Sequence, residues 1–337
     1  MQASLTRRHL IASAALLAAS PLSTSLLAQT ASAVASDKPI KFILPVGAGS
    51  GVDGITRAAS SALGKALGRS IVIDNQPGAG GVVGTQLLTK AAPDGLTLGM
   101  VSNNHVIYPS VLKSLPFDPI KDITPIAVIG STPLVLVINP KLQNANGTPV
   151  KTMAEFVALL KAHPGKYNYA SSGNGTILHL AAEIMKEATG TFATHIPYRG
   201  FGPMLADIVG GQVDFGVGAL PAVIGHIKSG SLRALAIASS TRAVAAPDIP
   251  TGVEQGFGKF LVEGWFAAVG PAKMSAEQVK RIHAAITAAF ATDEVRAAMT
   301  RQGNAIQIQS PESSAAFFQS ELQKYAATVK RAGVKPD

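Results

Sequence analysis

Four short stretches carry the residue types that hold anions. Residues 47–53 read GAGSGVD, 75–81 read NQPGAGG, 171–176 read SSGNGT and 197–200 read PYRG, and each follows a run with strand-like composition. Glycine lets backbone N–H groups turn toward one point, and the start of a following helix adds about half a positive charge, so such loops suit a carboxylate or a phosphate. Asp53, beside the first loop, reads either as a stabiliser of the helix start or as a partner for water or a ligand amine.

Two other chemistries fit less well. Gly49, Gly51 and Gly54 form a G-x-G-x-x-G pattern with Asp74 twenty residues further on. That spacing belongs to a dinucleotide turn and makes an exported NAD-dependent oxidoreductase the alternative reading. Against it, Pro45 breaks the preceding strand, and Gly47 and Ala48 lengthen the loop before Gly49. Ser171 or Ser172 with His179 suggests a nucleophile and base, but no G-x-S-x-G elbow is present. His179 falls in the first turn of a helix and is expected to be structural. The seven histidines show no paired metal spacing, and the absence of cysteine removes disulfides and thiolate chemistry. No catalytic residue, cofactor or metal site is therefore expected, and the chain does not read as an enzyme.

The loops need a scaffold, and the chain supplies an alternation of short apolar runs with amphipathic helical stretches. That pattern predicts an α/β fold with mostly parallel strands at 40–45, 70–74, 97–101, 126–130, 133–138, 167–170, 194–197, 213–217, 233–238 and 265–269. Ile177, Leu180, Ala181, Ile184 and Ala188 share one helical face, as do Ile55, Ala59, Ala62, Leu63 and Ala66. Ser275 with Gln278 predicts a capping box, and Ser310 with Pro311 starts a last helix that Gly333 stops. The runs 133–138 and 232–238 bracket a middle block. If both cross between lobes, residues 139–238 form a second domain inserted into a first one made of 36–138 and 239–337. Loops at strand ends then line a cleft between them.

A formal charge of +9, from 29 basic against 20 acidic residues, favours small anions. The basic residues are scattered, with no run and no aromatic platform, so nucleic acid is not an expected partner. At the N-terminus, Arg7 and Arg8 precede an apolar stretch and small-residue sites, which predicts an export signal over residues 1–35 cleaved after Ala33 or Ala35. Ser20, Pro21, Ser23, Thr24 and Ser25 interrupt the apolar stretch and make it a poor membrane span. The Arg pair leaves both the general and the twin-arginine export routes open. Absent cysteines suit the oxidising periplasm.

Beyond these features, Pro39 to Lys41, Pro45, Gly49 to Asp53, Asn75 to Gly81, Ala91 to Gly95, Leu115 to Pro119, Tyr169 to Thr176 with His179, Pro197 to Gly200, Gly210 to Asp214 and Leu232 to Ala236 together resemble the tripartite tricarboxylate transporter receptors, the Bug family. The resemblance covers essentially everything after residue 37. It implies a two-lobed periplasmic-binding-protein-like fold of type II and a monomer that closes on a small carboxylate for delivery to a membrane transporter. Carried over by position, it nominates Gly49, Ser50, Gly51 and Asp53 from one lobe as ligand-binding. From the other lobe it nominates Ser171, Ser172, Asn174, Gly175 and Thr176.

Overall fold

A computed structural model describes residues 38–334. The expected export signal, its Arg7 and Arg8 pair and its cleavage sites lie outside the described residues. Along the chain run β1 (Ile40–Leu44), α1 (Gly51–Leu67), β2 (Ile71–Asn75), a single 3-10 turn (Ala79–Gly81), α2 (Val82–Thr89), β3 (Thr97–Ser102), α3 (Asn104–Val111) and β4 (Ile123–Ile138). There follow α4 (Met153–Ala162), β5 (Asn168–Ser171), α5 (Ile177–Thr189), β6 (Thr194–Pro197), α6 (Phe201–Gly210), β7 (Phe215–Ala219), α7 (Leu220–Lys228) and β8 (Arg233–Ile237). The chain closes with β9 (Glu263–Pro271), α8 (Ala276–Phe290), α9 (Asp293–Gln302), β10 (Ala305–Ile306) and α10 (Pro311–Arg331).

The strands line up as β2-β1-β3-β9-β4-β7-β5-β6, with β8 and β10 also paired to β4. At one end β1 lies parallel between β2 and β3, and at the other β5 lies parallel between β6 and β7. Between these parallel groups β4 and β9 run antiparallel to their neighbours. The sheet is thus mixed, where the alternation of strand and helix had predicted mostly parallel pairing. The reason is topological: strands that carry the chain from one half to the other and back must run in opposite directions.

The long strand β4 joins the halves. Its residues up to Pro133 pair with β9, and Leu134 to Ile138 pair with β7 and β8. The sequence had suggested two strands, at 126–130 and 133–138, because Ser131, Thr132 and Pro133 look like punctuation. Ser131 and Thr132 stay extended because they pair opposite Trp265 and Gly264. Proline cannot donate to a ladder, and Pro133 stands where β4 changes partners.

Local signals start and stop the helices as the residue types dictate. Ser275 and Gln278 make the expected capping box on α8, and Ser310 caps α10 with Pro311 in its first turn. Helices α1 and α5 each end at a glycine in the left-handed region, Gly68 and Gly190. One apolar core lies beneath α1 and α8 around Phe42, Ile55, Phe266 and Phe290. A second runs from α4 and α5 along β7 and β8 to α10. Each half of the sheet therefore has its own buried face, and the molecule is a two-lobed α/β fold with β4 common to both. Among the described residues no helix is long and apolar enough to cross a membrane.

Candidate functional site

A cavity of about 480 Å³ opens where the loops of both lobes meet, inside the size range of small-molecule sites. All four loops singled out by composition border it, and β4 and β9 close one wall through Thr132, Leu134, Gly264 and Trp265.

The first-lobe loop is held rigidly. Ser50 caps α1 and its Oγ accepts the Asp53 N–H at 3.3 Å. The buried Asp53 carboxylate accepts the Gly49 N–H at 2.9 Å, Arg57 Nε at 2.9 Å and Asn75 Nδ2 at 3.0 Å. Burial pushes this carboxyl up, but the bonds from Arg57, Gly49 and Asn75 outweigh it and hold the group below its ordinary value. Gly49 sits at φ +79°, so the turn needs a glycine. The first N–H groups of a helix have no partner within it. Those of Gly51 and Val52, both lining the cavity, donate to no acceptor among the described residues. A Cβ on Gly51 would lie 2.9 Å from Ala219 Cβ at the end of β7, so the lobes meet closely here.

The second-lobe loop is tied mostly to the protein itself. Ser171 is fully buried; its Oγ bonds the Gly173 carbonyl at 3.0 Å and stands 2.7 Å from His195 Nε2. Thr176 caps α5 by accepting the His179 N–H at 3.4 Å and donates to the Gly173 carbonyl at 2.8 Å. His179 Nδ1 accepts the Gly175 N–H at 3.0 Å, and its ring stacks on His195 with centroids 3.9 Å apart. The buried histidine is structural, and the hydroxyl beside an imidazole is that of an inaccessible serine. Asn104, at the start of α3, reaches across: its Oδ1 accepts the Ile177 N–H at 2.8 Å and its Nδ2 donates to the Gly80 carbonyl at 3.2 Å.

Of the nominated residues, Ser50, Gly51, Ser172 and Asn174 line the cavity. Gly49, Asp53, Ser171, Gly175 and Thr176 stand behind that surface and hold it in shape. Sequence reasoning passed over Ser102, Asn103 and Asn104, although a polar step between an apolar strand and a helix is the signal used for the other loops. Asn103 is buried; its Oδ1 accepts the Trp265 N–H at 2.9 Å and its Nδ2 donates to Tyr325 Oη at 2.7 Å. Trp265 lines the cavity as well. Thr132 had no sequence signal, since nothing local marks a threonine in an extended run as a cavity wall.

The arrangement does not make a dinucleotide turn. The third glycine of such a turn admits close helix–strand packing. A Cβ on Gly54 would meet nothing within 4 Å. Asp74 is engaged by Lys41 at 3.4 Å and by Gln76 Nε2 at 2.7 Å. Among the described residues no group of three or more potential metal ligands is present.

Comparison with known proteins gives a consistent result. A family model described as the tripartite tricarboxylate transporter family receptor matches residues 55–334. Protein BugT of Bordetella pertussis is 35% identical over 300 residues, spanning 88% of this chain and 90% of that protein. A solved structure of a periplasmic transporter superposes with a TM-score of 0.85 at 35% identity, covering 90% of this chain and all, 100%, of that one. The Rhodopseudomonas palustris protein Rpa4515, solved with adipate, has a TM-score of 0.84 at 26% identity and covers 89% and 98% of the two chains. The two-lobed periplasmic-binding-protein-like fold is shared throughout, and no comparison supports the oxidoreductase reading.

Proposed function

Because this chain belongs to the tripartite tricarboxylate transporter receptor family, we propose that it is a periplasmic receptor that closes two lobes on a small carboxylate and hands it to a membrane transporter. One observation carries the reading: Gly51 and Val52 line the cavity, and their N–H groups donate to no acceptor among the described residues. A buried N–H left unpaired costs about 1–3 kcal/mol, and a carboxylate accepting both adds charge-assisted bonds at the positive end of α1. The Ser50 hydroxyl, whose oxygen already accepts from Asp53, keeps its proton to donate to the same anion.

The division into residues 36–138 with 239–337 and 139–238 belongs to this proposal, with β4 and β8 at the boundary. The cavity is built by both lobes, so a ligand that bridges them shifts the hinge toward the closed form. Export of the chain and action as a monomer complete the reading. The supporting relative was solved with adipate, a carboxylate of the proposed class.

Calorimetric titration of the purified protein with a panel of mono- and dicarboxylates, with NAD beside them, tests the proposal. One-to-one binding of a carboxylate, abolished when its methyl ester is used instead, is the expected result. Binding of NAD with no response to any carboxylate would overturn it.

A further inference from the structure

Resting on the receptor reading, we infer that the cavity selects a carboxylate without an amino group whose body is a ring or a comparably bulky hydrocarbon. The first observation is charge. Among the described residues no aspartate or glutamate lines the cavity. Asp53, the acid nearest the loop, is spent on Gly49, Arg57 and Asn75. A ligand ammonium would be buried without a counter-charge, which is strongly unfavourable.

The second observation is that the polar side chains lining the cavity are mostly neutral and that its two amides on the β3–α3 connection are committed to the protein. Asn103 is committed to Trp265 and Tyr325, and Asn104 to Ile177 and Gly80. Both amide oxygens already accept a backbone N–H, so neither is free of the protein to accept from a ligand hydroxyl. Thr132 Oγ1 is buried without a partner among the described residues and offers a neutral hydroxyl, not a charge.

The third observation is the wall itself. The Trp265 indole N–H is held by Glu321 Oε2 at 2.8 Å, and its ring is braced edge-on by Phe317 and Phe318. What Trp265 presents to the cavity is apolar ring surface in a fixed position. Leu112, Leu134 and Ile177 line the same space. A malate-sized molecule would leave much of the 480 Å³ and its apolar lining unfilled.

Among the described residues Arg199 is the one charged side chain lining the cavity. It is exposed, so a second carboxylate paired with it gains at most about fivefold in affinity. Burial of a phenyl-sized hydrocarbon contributes about ten- to a hundredfold. The apolar body therefore outweighs a second charge.

The experiment is titration of the purified protein with 3-phenylpropanoate, 2-naphthoate, malate and L-aspartate, read by calorimetry and by the fluorescence of Trp265, the only tryptophan. At least one ring acid is expected to bind about tenfold or more tighter than malate, with no measurable binding of aspartate. Leu112→Asn, at a half-buried position that tolerates change, is expected to weaken the ring acid about fivefold or more and malate less than about twofold. Malate or aspartate binding as tightly as the ring acids overturns this inference and leaves the receptor reading intact. Equal weakening of ring acid and malate by Leu112→Asn also overturns it. No binding of any of the four, or of the wider carboxylate panel, overturns the receptor reading and this inference with it.

Discussion

Helices α1 and α5 begin at the same cavity, each behind a glycine-containing loop and each under a hydroxyl cap, Ser50 and Thr176. Their first turns nevertheless differ. At α1 the N–H groups of Gly51 and Val52 remain open, whereas at α5 the Ile177 N–H is taken by Asn104 from the other lobe and the His179 N–H by Thr176. Among the first three residues of α5, Leu178 alone has an N–H with no acceptor among the described residues. The local sequence of a helix start announces a possible anion site, but a side chain more than 70 residues away decides whether the site is available. The two helix starts are therefore not equivalent: that of α1 keeps two donors open among the described residues, and that of α5 is used mainly to seat the lobes against each other.

Substitutions can break this asymmetry. The largest effect is expected from Gly51→Val. Its side chain would collide with Ala219 only when the lobes meet, so ligand affinity should fall about a hundredfold or more while the ligand-free protein still unfolds cooperatively. Calorimetry with thermal unfolding separates the two effects. Retained affinity would show that α1 does not approach β7 in the bound form.

Next comes Asp53→Asn, which replaces a carboxylate accepting from Gly49, Arg57 and Asn75 with an amide that cannot accept from all three. A loss of about 1–3 kcal/mol in urea unfolding is expected. The pH dependence has a definite sign. The native carboxyl lies below its ordinary value, so its stabilisation is complete above the unfolded pKa and disappears as pH falls through the lower native one. The Asn variant should converge with the parent protein in that acid range.

Asn104→Ala sharpens the comparison directly. Removing the amide frees the α5 start and cuts its link to Gly80, which should cost about 1–2 kcal/mol of closure and about tenfold in affinity. Small-angle scattering should show a more open mean form. If affinity rises instead, the freed Ile177 N–H binds the ligand better than Asn104 seats the lobe.

An effect confined to mildly acid pH, and not expected to touch the ligand, is expected at His105, the next residue on α3. Burial pushes its imidazole down to about 4, partly offset by its bond to the Pro119 carbonyl at 2.6 Å. The unfolded chain takes up a proton near pH 6.5 and the native one does not, so stability should fall by roughly 1.4 kcal/mol per pH unit below that value until about pH 4. His105→Phe should flatten this slope in thermal unfolding across pH 7 to 5. Ligand contacts need not change, since His105 is not among the cavity-lining residues.

Much was legible before any coordinates. The strand runs, the capping signals at Ser275 and Ser310 and the four glycine or polar loops lie in short windows, because helix starts, turns and apolar runs depend on neighbours within about four residues. The continuity of β4 through Ser131 to Pro133 was not legible. It depends on β9, more than 130 residues further on, supplying the partner strand.

The sequence by itself determined where the chain turns and which loops carry free backbone donors, since glycine conformation and helix capping are local properties. Only the tertiary structure decided which of those donors stay free. Asn104 reaches the start of α5 but not of α1, and Asp53 is drawn inward by Arg57 and Asn75, away from the cavity. It likewise brought Trp265, fixed by Glu321, to the cavity wall. Hydrogen bonds between residues distant in sequence form only when packing brings them together, and the donors left over at α1 are the ones that border the cavity.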